Sequence, residues 1–434
     1  MFRRSSWVIA CLLSFNAIVY PQTTPAKTIT VVHAGTLLAV PGEAPKSQQT
    51  IVMTDNLITR VLDGYIDPSD IDSKAELIDL SDKFVLPGLI DMHVHLLMEL
   101  GPSTRTYVLT TTASLAAMRG AQFARRTLMA GFTTVRDLGG DPEAIYALRE
   151  AIKRGYVPGP RIFAAGSPLA ATGGHGDVNG ITPELMKLWT PATICDGPYD
   201  CRRATRYAVK HGADWIKITA TGGVLSDSAT GLELQMAMDE LEEIVATAHG
   251  LGRRVAAHAH GTTGINAALS AGVDSIDHGT FLDDESVRLF KRKGAYLVPT
   301  MLPGHLVKNS MEGNPFFTPA IREKVRKASG ASKASVKLAY DAGVKIAFGT
   351  DAGVIKHGAN AEEFALMVDA GMSEMDAIRT ATVVAAELLE RSDELGTIEP
   401  GKLADLIAVS GNPLEKITVL EDVQVVIKNG KLIR

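Results

Sequence analysis

The 434-residue sequence predicts an α/β protein, a (β/α)8 TIM barrel with a small β-sandwich domain formed from both termini. Two observations predict this fold. Between residues 85 and 394, short β-type runs alternate with helical patterns about eight times, which is typical of a parallel barrel. At both ends of the chain, in contrast to its middle, β-rich runs follow one another without helical patterns between them. We therefore expect residues 28–84 and 395–434 to build one β-sandwich domain around the barrel.

Eight runs supply the predicted barrel strands. The first, Phe84–His95, is an apolar stretch that ends in two histidines. The other seven are, in chain order, Thr133–Asp137, Arg161–Ala165, Trp215–Thr219, Val255–His260, Ser275–His278, Tyr296–Pro299 and Lys345–Gly349. Helical patterns such as Leu115–Ala130 and Met238–Gly250 separate most of them. A Gly- and Pro-rich insertion, Ser167–Tyr207, follows the third strand, where long barrel loops commonly build the substrate pocket.

Charge and terminal composition limit the partners and the compartment. The net charge of −5 comes without a Lys/Arg stripe, so we expect no nucleic-acid partner. Residues 1–22 resemble a signal peptide, since a basic start precedes an apolar core too short to span a bilayer. We predict no membrane span and an exported protein, periplasmic or secreted. In such a compartment Cys195 and Cys201 could form a disulfide or remain two free thiols.

Polar residues at the ends of the predicted strands are candidate metal ligands. His93 and His95 are one residue apart on strand one, so both imidazoles point to the same face. Lys217 lies inside the apolar run of strand four, where an isolated amine would be costly. Strands five, six and eight end in His258 and His260, in His278, and in Asp351. An amine is a poor ligand, but its carbon dioxide adduct, a carbamate, could bridge two cations.

The set His93-x-His95, Lys217, His258, His278 and Asp351 resembles the amidohydrolase superfamily over nearly the whole mature chain. The resemblance implies two divalent metal ions, usually zinc, although cobalt and manganese stay open. His93, His95 and Asp351 would bind the more buried ion, and His258 and His278 the second. Lys217, carboxylated by carbon dioxide, would bridge the two. Gly-rich turns such as Thr172–Asp177 and Gly349–Val354 are similar to the branch of Xaa-Pro dipeptidases, related carboxypeptidases and ochratoxin amidases.

The resemblance also implies an activity and residue roles. We expect hydrolysis of an amide bond next to a C-terminal amino acid, in Xaa-Pro-type dipeptides or N-acyl amino acids, including ochratoxin-like amides. A metal-bridging hydroxide would attack the carbonyl, with Asp351 moving the proton. Because His260 shares a face with His258, we expect it to polarise the substrate carbonyl and to help bind the substrate. His175 and His357 would either bind the substrate or have structural roles in their loops. We interpret Arg136 and Asp137 as a structural ion pair near the site.

Other readings of the same scaffold stay open. The alternatives are a cyclic-amide hydrolase or deaminase of the imidazolonepropionase type, a lactonase, and a catalytically silent barrel. Deaminase-type relatives do not usually need a lysine on strand four, so Lys217 favours two metals. A silent barrel would typically have lost ligands, and this sequence keeps all six. The partner is therefore expected to be a small-molecule amide or dipeptide, and the chain could form a homo-oligomer.

Overall fold

The structure is a computed structural model that describes residues 27–101, 104–179, 182–226, 231–307, 314 and 316–434. The predicted signal peptide, residues 1–22, lies outside the described residues. Within them, none of the helices has both the length and the apolar character needed to cross a membrane.

The strands are β1 (Ile29–Leu37), β2 (Lys46–Thr54), β3 (Leu57–Asp63), β4 (Glu76–Pro87), β5 (Leu89–Val94), β6 (Phe132–Asp137), β7 (Arg161–Ala164), β8 (Ile216–Thr219), β9 (Val255–Ala259), β10 (Ser275–His278), β11 (Tyr296–Val298), β12 (Lys345–Ile346), β13 (Leu406–Val409), β14 (Val423–Lys428) and β15 (Lys431–Leu432).

The α-helices are α1 (Pro68–Ile71), α2 (Thr104–Thr110), α3 (Ala113–Met129), α4 (Pro142–Lys153), α5 (Pro183–Trp189), α6 (Pro198–His211), α7 (Met238–Gly250), α8 (Thr262–Ala271), α9 (Asp284–Lys293), α10 (Met301–Val307), α11 (Pro319–Ala328), α12 (Ala331–Asp341), α13 (Glu362–Asp369), α14 (Glu374–Thr380) and α15 (Val383–Leu388), and a 3-10 helix spans Ile417–Glu421.

Strands from both ends of the chain form a single seven-stranded sheet. Its order is β15-β14-β13-β4-β1-β2-β3, so the C-terminal strand β13 pairs with the N-terminal strand β4. β1 and β4 are parallel, and the other neighbours are antiparallel. The division of this region into a two-layer sandwich stays a prediction.

The middle of the chain is an α/β unit with two parallel sheets. One contains β8 to β12 in sequence order and the other β5 to β7. Strands β5, β6, β8 and β9 are buried along their whole length, as expected when both faces of a parallel sheet are covered. Any ionisable group on these strands must therefore find its partners inside the protein.

Backbone hydrogen bonds also run between the two parallel sheets. Met92 N donates to Phe348 O at 2.8 Å, and Asp351 N donates to His93 O at 2.8 Å. These bonds connect β5 with the segment that follows β12. On the other side, Leu169 N donates to Lys217 O at 2.7 Å, beside the end of β7.

The first predicted barrel strand corresponds to parts of two strands in the structure. We expected Phe84–His95 to be continuous, but β4 ends at Pro87 and β5 begins at Leu89. Gly88 separates them, and a Cβ at this position would lie 2.4 Å from Thr133 Oγ1. This close approach lets the chain leave the terminal sheet and enter the parallel sheet within one residue.

Of the two alternatives for the cysteines, the structure has the disulfide. Cys195 and Cys201 are bonded and buried, and both belong to the main apolar cluster. The bond joins the insertion after β7 to the first turn of α6. Beside it, Cys195 N donates to Ala170 O at 3.0 Å. The disulfide therefore anchors the stretch that leads into His175.

Candidate active site

A cavity of about 300 Å³ lies at the carboxyl ends of the parallel strands. This position is where catalytic residues of α/β barrels are found. Most of the predicted site residues line it: His93, His95, His175, Lys217, His258, His260, His278 and Asp351. The opposite wall is apolar and includes Leu100, Val224, Leu225, Phe316 and Val354.

Asp351 faces His93 on β5 and His95 just after the end of that strand. Its Oδ1 lies 3.2 Å from His95 Nε2 and 3.6 Å from His93 Nε2. The Nδ1 of His95 is within 2.9 Å of Gly139 O, so a neutral ring carries its proton there. Nε2 then presents a lone pair to a carboxylate oxygen. Burial opposes protonation of His95, but the hydrogen bond and the charge of Asp351 raise its pKa, so a proton or a metal ion can lie between these two atoms.

Three further histidines gather beside this group. The rings of His258 and His260 are 4.6 Å apart, as are those of His258 and His278. Candidate ligand atoms of His258, His260 and His278 lie within 4.8 Å of one another, and the same holds for His93, His278 and Asp351. His278 belongs to both groups, so the two groups form one continuous cluster.

Hydroxyl groups orient two of these rings. His278 Nδ1 lies 2.6 Å from Thr300 Oγ1, and His260 Nδ1 lies 2.7 Å from Thr280 Oγ1. Burial lowers the pKa of His258 and His278 well below its usual value, and it lowers the pKa of His260 to about 3. The imidazoles are therefore neutral, which is the form that binds metal ions.

The cluster fits divalent cations by an independent criterion. Among the described residues, two of the buried side-chain atoms without a hydrogen-bond partner that lie here are His258 Nε2 and Asp351 Oδ1. A buried polar atom without a partner is costly and rare. Imidazole nitrogen and carboxylate oxygen are the donors that zinc and similar ions take. These residues can therefore hold the metal ions that the sequence predicts.

Lys217 has a partner that the sequence analysis missed. Its Nζ donates to Asp277 Oδ2 at 2.6 Å, and the Asp277 side chain is completely buried. Burial lowers the pKa of the Lys217 amine, although Asp277 opposes the change. A lowered pKa favours the neutral amine, the form that adds to carbon dioxide.

The predicted ion pair between Arg136 and Asp137 was wrong. Arg136 Nη2 donates to Asp277 Oδ1 at 3.0 Å, whereas Asp137 accepts from the backbone N–H of Leu96 at 2.6 Å. Neighbouring residues of a strand point to opposite faces, so Arg136 and Asp137 cannot easily pair. Asp277 and His278 are also consecutive residues of one strand, β10. His278 has φ 73°, and this turn of the backbone brings both side chains to the cluster.

His175 enters the cavity from the long insertion after β7. Its ring centroid lies 4.2 Å from that of His258, and its Nδ1 is hydrogen-bonded to Ser226 Oγ. Gly223 lies directly against this ring, since a Cβ on Gly223 would be 2.3 Å from His175 Cε1. The position of His175 agrees with the predicted role in substrate binding.

His357 is not among the residues that line the cavity, so of the two roles left open its contacts favour the structural one. Its Nε2 lies 2.9 Å from Met98 O, its Nδ1 lies 3.4 Å from Thr127 Oγ1, and its ring stacks on Phe123 at 4.8 Å. The side chain thus packs beneath the segment that carries Met98.

Comparison with protein families decides the relationship. The model of the amidohydrolase family matches residues 84–433 of this chain, which is most of its length. The chain belongs to the amidohydrolase family. This amidohydrolase is a hydrolase that acts on amide bonds.

Similar proteins lie in the predicted branch. A crystal structure of a Xaa-Pro dipeptidase with methionine bound in its active site is 43% identical, with a TM-score of 0.88, covering 94% of this chain and 100% of that chain. A prolidase complexed with N-methylphosphonate-L-proline is 33% identical, with a TM-score of 0.84 and coverage of 94% and 100%. Ochratoxinase of Aspergillus niger is 32% identical over 97% of this chain and 90% of its own length.

Gly223→Ala tests the position of His175. We expect the new Cβ to displace the imidazole ring, because the atoms would otherwise be 2.3 Å apart. A displacement near 1 Å at a catalytic group can lower rates by about 100-fold, so kcat/KM should fall roughly tenfold or more. The measurement is amide hydrolysis alongside a crystal structure of the variant. Gly250→Ala is the matched control, because a Cβ there meets no atom within 4 Å. Normal kcat/KM in Gly223→Ala would show that the ring position is unimportant.

His357→Ala tests the structural role of His357. We expect the free energy of unfolding at pH 7.5 to fall by about 2 kcal/mol or more, with kcat/KM nearly unchanged, because stacking and hydrogen bonds are lost outside the cavity. Burial lowers the pKa of His357 to about 4. The unfolded chain therefore takes up a proton near pH 6.5 that the folded protein does not, and this wild-type stability is lost as the pH falls from 6.5 toward 4.

The variant lacks this proton linkage. The difference in the free energy of unfolding between the wild type and His357→Ala should therefore decrease by about 2 kcal/mol between pH 7.5 and pH 5, as measured by urea unfolding. His211→Ala, at an exposed residue, is the control for the general effect of losing a histidine. A large rise in KM with unchanged stability would instead place His357 at the substrate.

Proposed function

We propose that this chain is a binuclear metal-dependent amidohydrolase that cleaves the amide bond next to a C-terminal amino acid. Its substrates would be Xaa-Pro-type dipeptides or N-acyl amino acids, including ochratoxin-like amides. The observation that carries the proposal is the pair of overlapping ligand groups, joined by His278, beside the amine of Lys217. The relatives support the substrate class, since one prolidase was solved with a proline phosphonate and another relative is an ochratoxinase.

We also infer that the eight parallel strands close into the predicted barrel. The hydrogen bonds between β5 and the segment after β12, and between Leu169 and Lys217, support this inference at both sheet edges. The seven-stranded sheet built from both termini supports the companion prediction of a terminal β-sandwich. Closure would explain why ligands from distant parts of the sequence converge at one mouth.

The metal assignment follows the family pattern. His93, His95 and Asp351 would hold one ion, His258 and His278 the other, and carboxylated Lys217 would lie between them. His260 lies as close to His258 and His278 as they lie to each other. Zinc would be the usual metal. When bound, the two ions would supply an activated water molecule and polarise the scissile carbonyl.

Asp351 is the group we assign to proton transfer. Its Oδ1 has no hydrogen-bond partner, so it can accept a proton from the attacking water. Its backbone has the left-handed φ of 57° and is fixed by the hydrogen bond from its own N–H to His93 O. The same carboxyl group would then donate the proton to the leaving amine.

Two histidines would position the substrate. His260 is neutral and held through Nδ1 by Thr280, so its Nε2 can donate to the substrate carbonyl if the hydroxyl donates to Nδ1. His175 packs against His258 on the insertion side of the cavity. The apolar wall opposite them would exclude water from the scissile bond and strengthen these polar contacts.

We further propose that the protein is exported and that it can assemble with copies of itself. The buried disulfide between Cys195 and Cys201 supports export, since disulfides persist in oxidising compartments. The signal peptide at residues 1–22 remains a prediction from the sequence.

A substrate screen tests the proposed function. The zinc-loaded protein, with bicarbonate present, should release free amino acids from a library of dipeptides and N-acyl amino acids. Two metal ions per chain should be found by elemental analysis, and a chelator should abolish the release until zinc is restored. One metal per chain together with ammonia release from a cyclic or aminated substrate would favour the deaminase alternative.

Asp351→Asn tests the assigned proton transfer. We expect kcat to fall by about 100-fold or more, because a general acid–base group is lost, while most of the metal stays bound. Metal content and turnover are measured on the same preparation. Asp274→Asn is the matched control. Asp274 directly precedes the first residue of β10, at the end of the strand away from the cavity, and it pairs with His249 and Arg254. A variant with near-normal kcat would remove Asp351 from the proton path.

A further inference from the structure

We propose that Asp277, fixed by Arg136, is a positioning residue that orients two metal ligands at once, the Lys217 side chain and the His93 ring. The inference rests on the proposed metal-dependent function and adds a role for two buried residues that bind no metal themselves. Neither residue belongs to the predicted ligand set.

The carboxylate of Asp277 faces two strands. Its Oδ2 accepts a hydrogen bond from Lys217 Nζ at 2.6 Å and lies 3.5 Å from His93 Nδ1. Lys217 belongs to β8 and His93 to β5, whereas Asp277 belongs to β10. A single oxygen atom therefore lies between ligands from two other strands.

Arg136 determines the direction of that oxygen. Its Nη2 donates to Asp277 Oδ1 at 3.0 Å, and its Nε donates to Met92 O at 2.7 Å, next to His93. Its Nη1 donates to Ser275 Oγ at 3.1 Å, and its guanidinium carbon lies 4.5 Å from the centre of the Trp215 ring. The planar guanidinium has its donors in fixed directions. Because Oδ1 is bound to Arg136, Oδ2 is left to face Lys217 and His93.

Stability alone does not explain this ion pair. Both side chains are fully buried, and a buried pair often contributes no more than well-packed apolar residues would. A fixed carboxylate has a clear use beside metal ligands, however. Histidines that bind metals usually donate their second ring N–H to a carboxylate or carbonyl, which sets the tautomer and the ring orientation. His93 Nδ1 has no hydrogen-bond partner, and Asp277 is placed to serve it, although 3.5 Å exceeds a normal hydrogen bond.

The same contact would orient the carbamate of Lys217. In that reaction the neutral amine attacks carbon dioxide, a new N–C bond forms as one C–O π bond opens onto oxygen, and one proton passes from the nitrogen to solvent water. One N–H remains, and we infer that it continues to donate to Asp277 Oδ2. The two carbamate oxygens would then point away from Asp277 and toward the histidine cluster. The positive charge of Arg136 would offset the negative charge of Asp277, so the carbamate anion on Lys217 would meet less electrostatic repulsion.

The test compares zinc affinity and carbamate content in the full-length chain. Asp277→Asn keeps the size of the side chain but removes its charge and one acceptor. We expect zinc affinity, measured by competition with a chelator, to weaken by about 10- to 100-fold. The carbamate signal in a 13C NMR spectrum, recorded with 13C-bicarbonate, should also decrease. Arg136→Lys keeps the positive charge but loses the planar guanidinium with its fixed donors. We therefore expect zinc affinity and the carbamate signal to decrease, but by less than in Asp277→Asn.

Asp405→Asn is the matched control. Asp405 is also a mostly buried partner of an arginine, since its Oδ2 accepts from Arg161 Nη1 at 2.9 Å, but it lies outside the cavity lining. Its zinc affinity and carbamate signal should equal those of the wild type, whatever its melting temperature. A folded Asp277→Asn with wild-type zinc affinity and carbamate signal would overturn the inference. If Asp277→Asn does not fold, wild-type values in Arg136→Lys would overturn it instead. A wild-type protein that binds no metal would defeat the proposed function itself, which is a separate result.

Discussion

The burial of an amine inside a parallel sheet is the constraint on which this site depends. Lys217 lies on a strand whose four residues are all buried, so water cannot solvate its charge. Burial lowers the pKa of His93, His258 and His278, and Lys217 and Arg136 are two cations beside the two carboxylates of Asp277 and Asp351. Carboxylation would change Lys217 from one positive to one negative charge. This change of two units would offset the charge of one of the two proposed divalent cations, so carboxylation would favour metal binding at this site.

Backbone strain is concentrated at the same end of the parallel strands. Thr300 has φ 46°, His278 has φ 73° and Asp351 has φ 57°, all in the left-handed region. Such conformations cost on the order of 1 kcal/mol or more for residues other than glycine, and they persist where the surroundings enforce them. Here each one redirects a side chain at the end of a strand. Thr300 then orients His278, and the Asp351 carboxylate lies beside His93 and His95. The strain thus contributes directly to the geometry of the ligand cluster.

The sequence predicted much of the ligand cluster and less of its surroundings. Strand ends could be located because parallel strands appear as short apolar runs, and their carboxyl ends share one edge, which placed His93, Lys217 and His258 correctly. The contacts of Asp277 with Lys217 and Arg136 were not predicted, because they join three different strands and have no local signal in the sequence. His357 follows a Gly-containing turn like the true site residues, yet its partners Met98 and Thr127 come from distant segments.

The candidate metal ligands and the apolar wall of the cavity come from different parts of this molecule. The ligands are located at strand ends, where hydrogen bonds of the sheet fix them. The apolar wall comes from loops, and Leu100, Val224, Leu225 and Val354 pack with Phe317, Ile321 and Val325 in a cluster separate from the main core. Loops tolerate substitution better than strands do, so the wall can change while the ligands stay in place. Substitutions in the wall would therefore alter the shape of the cavity without moving the histidines at the strand ends.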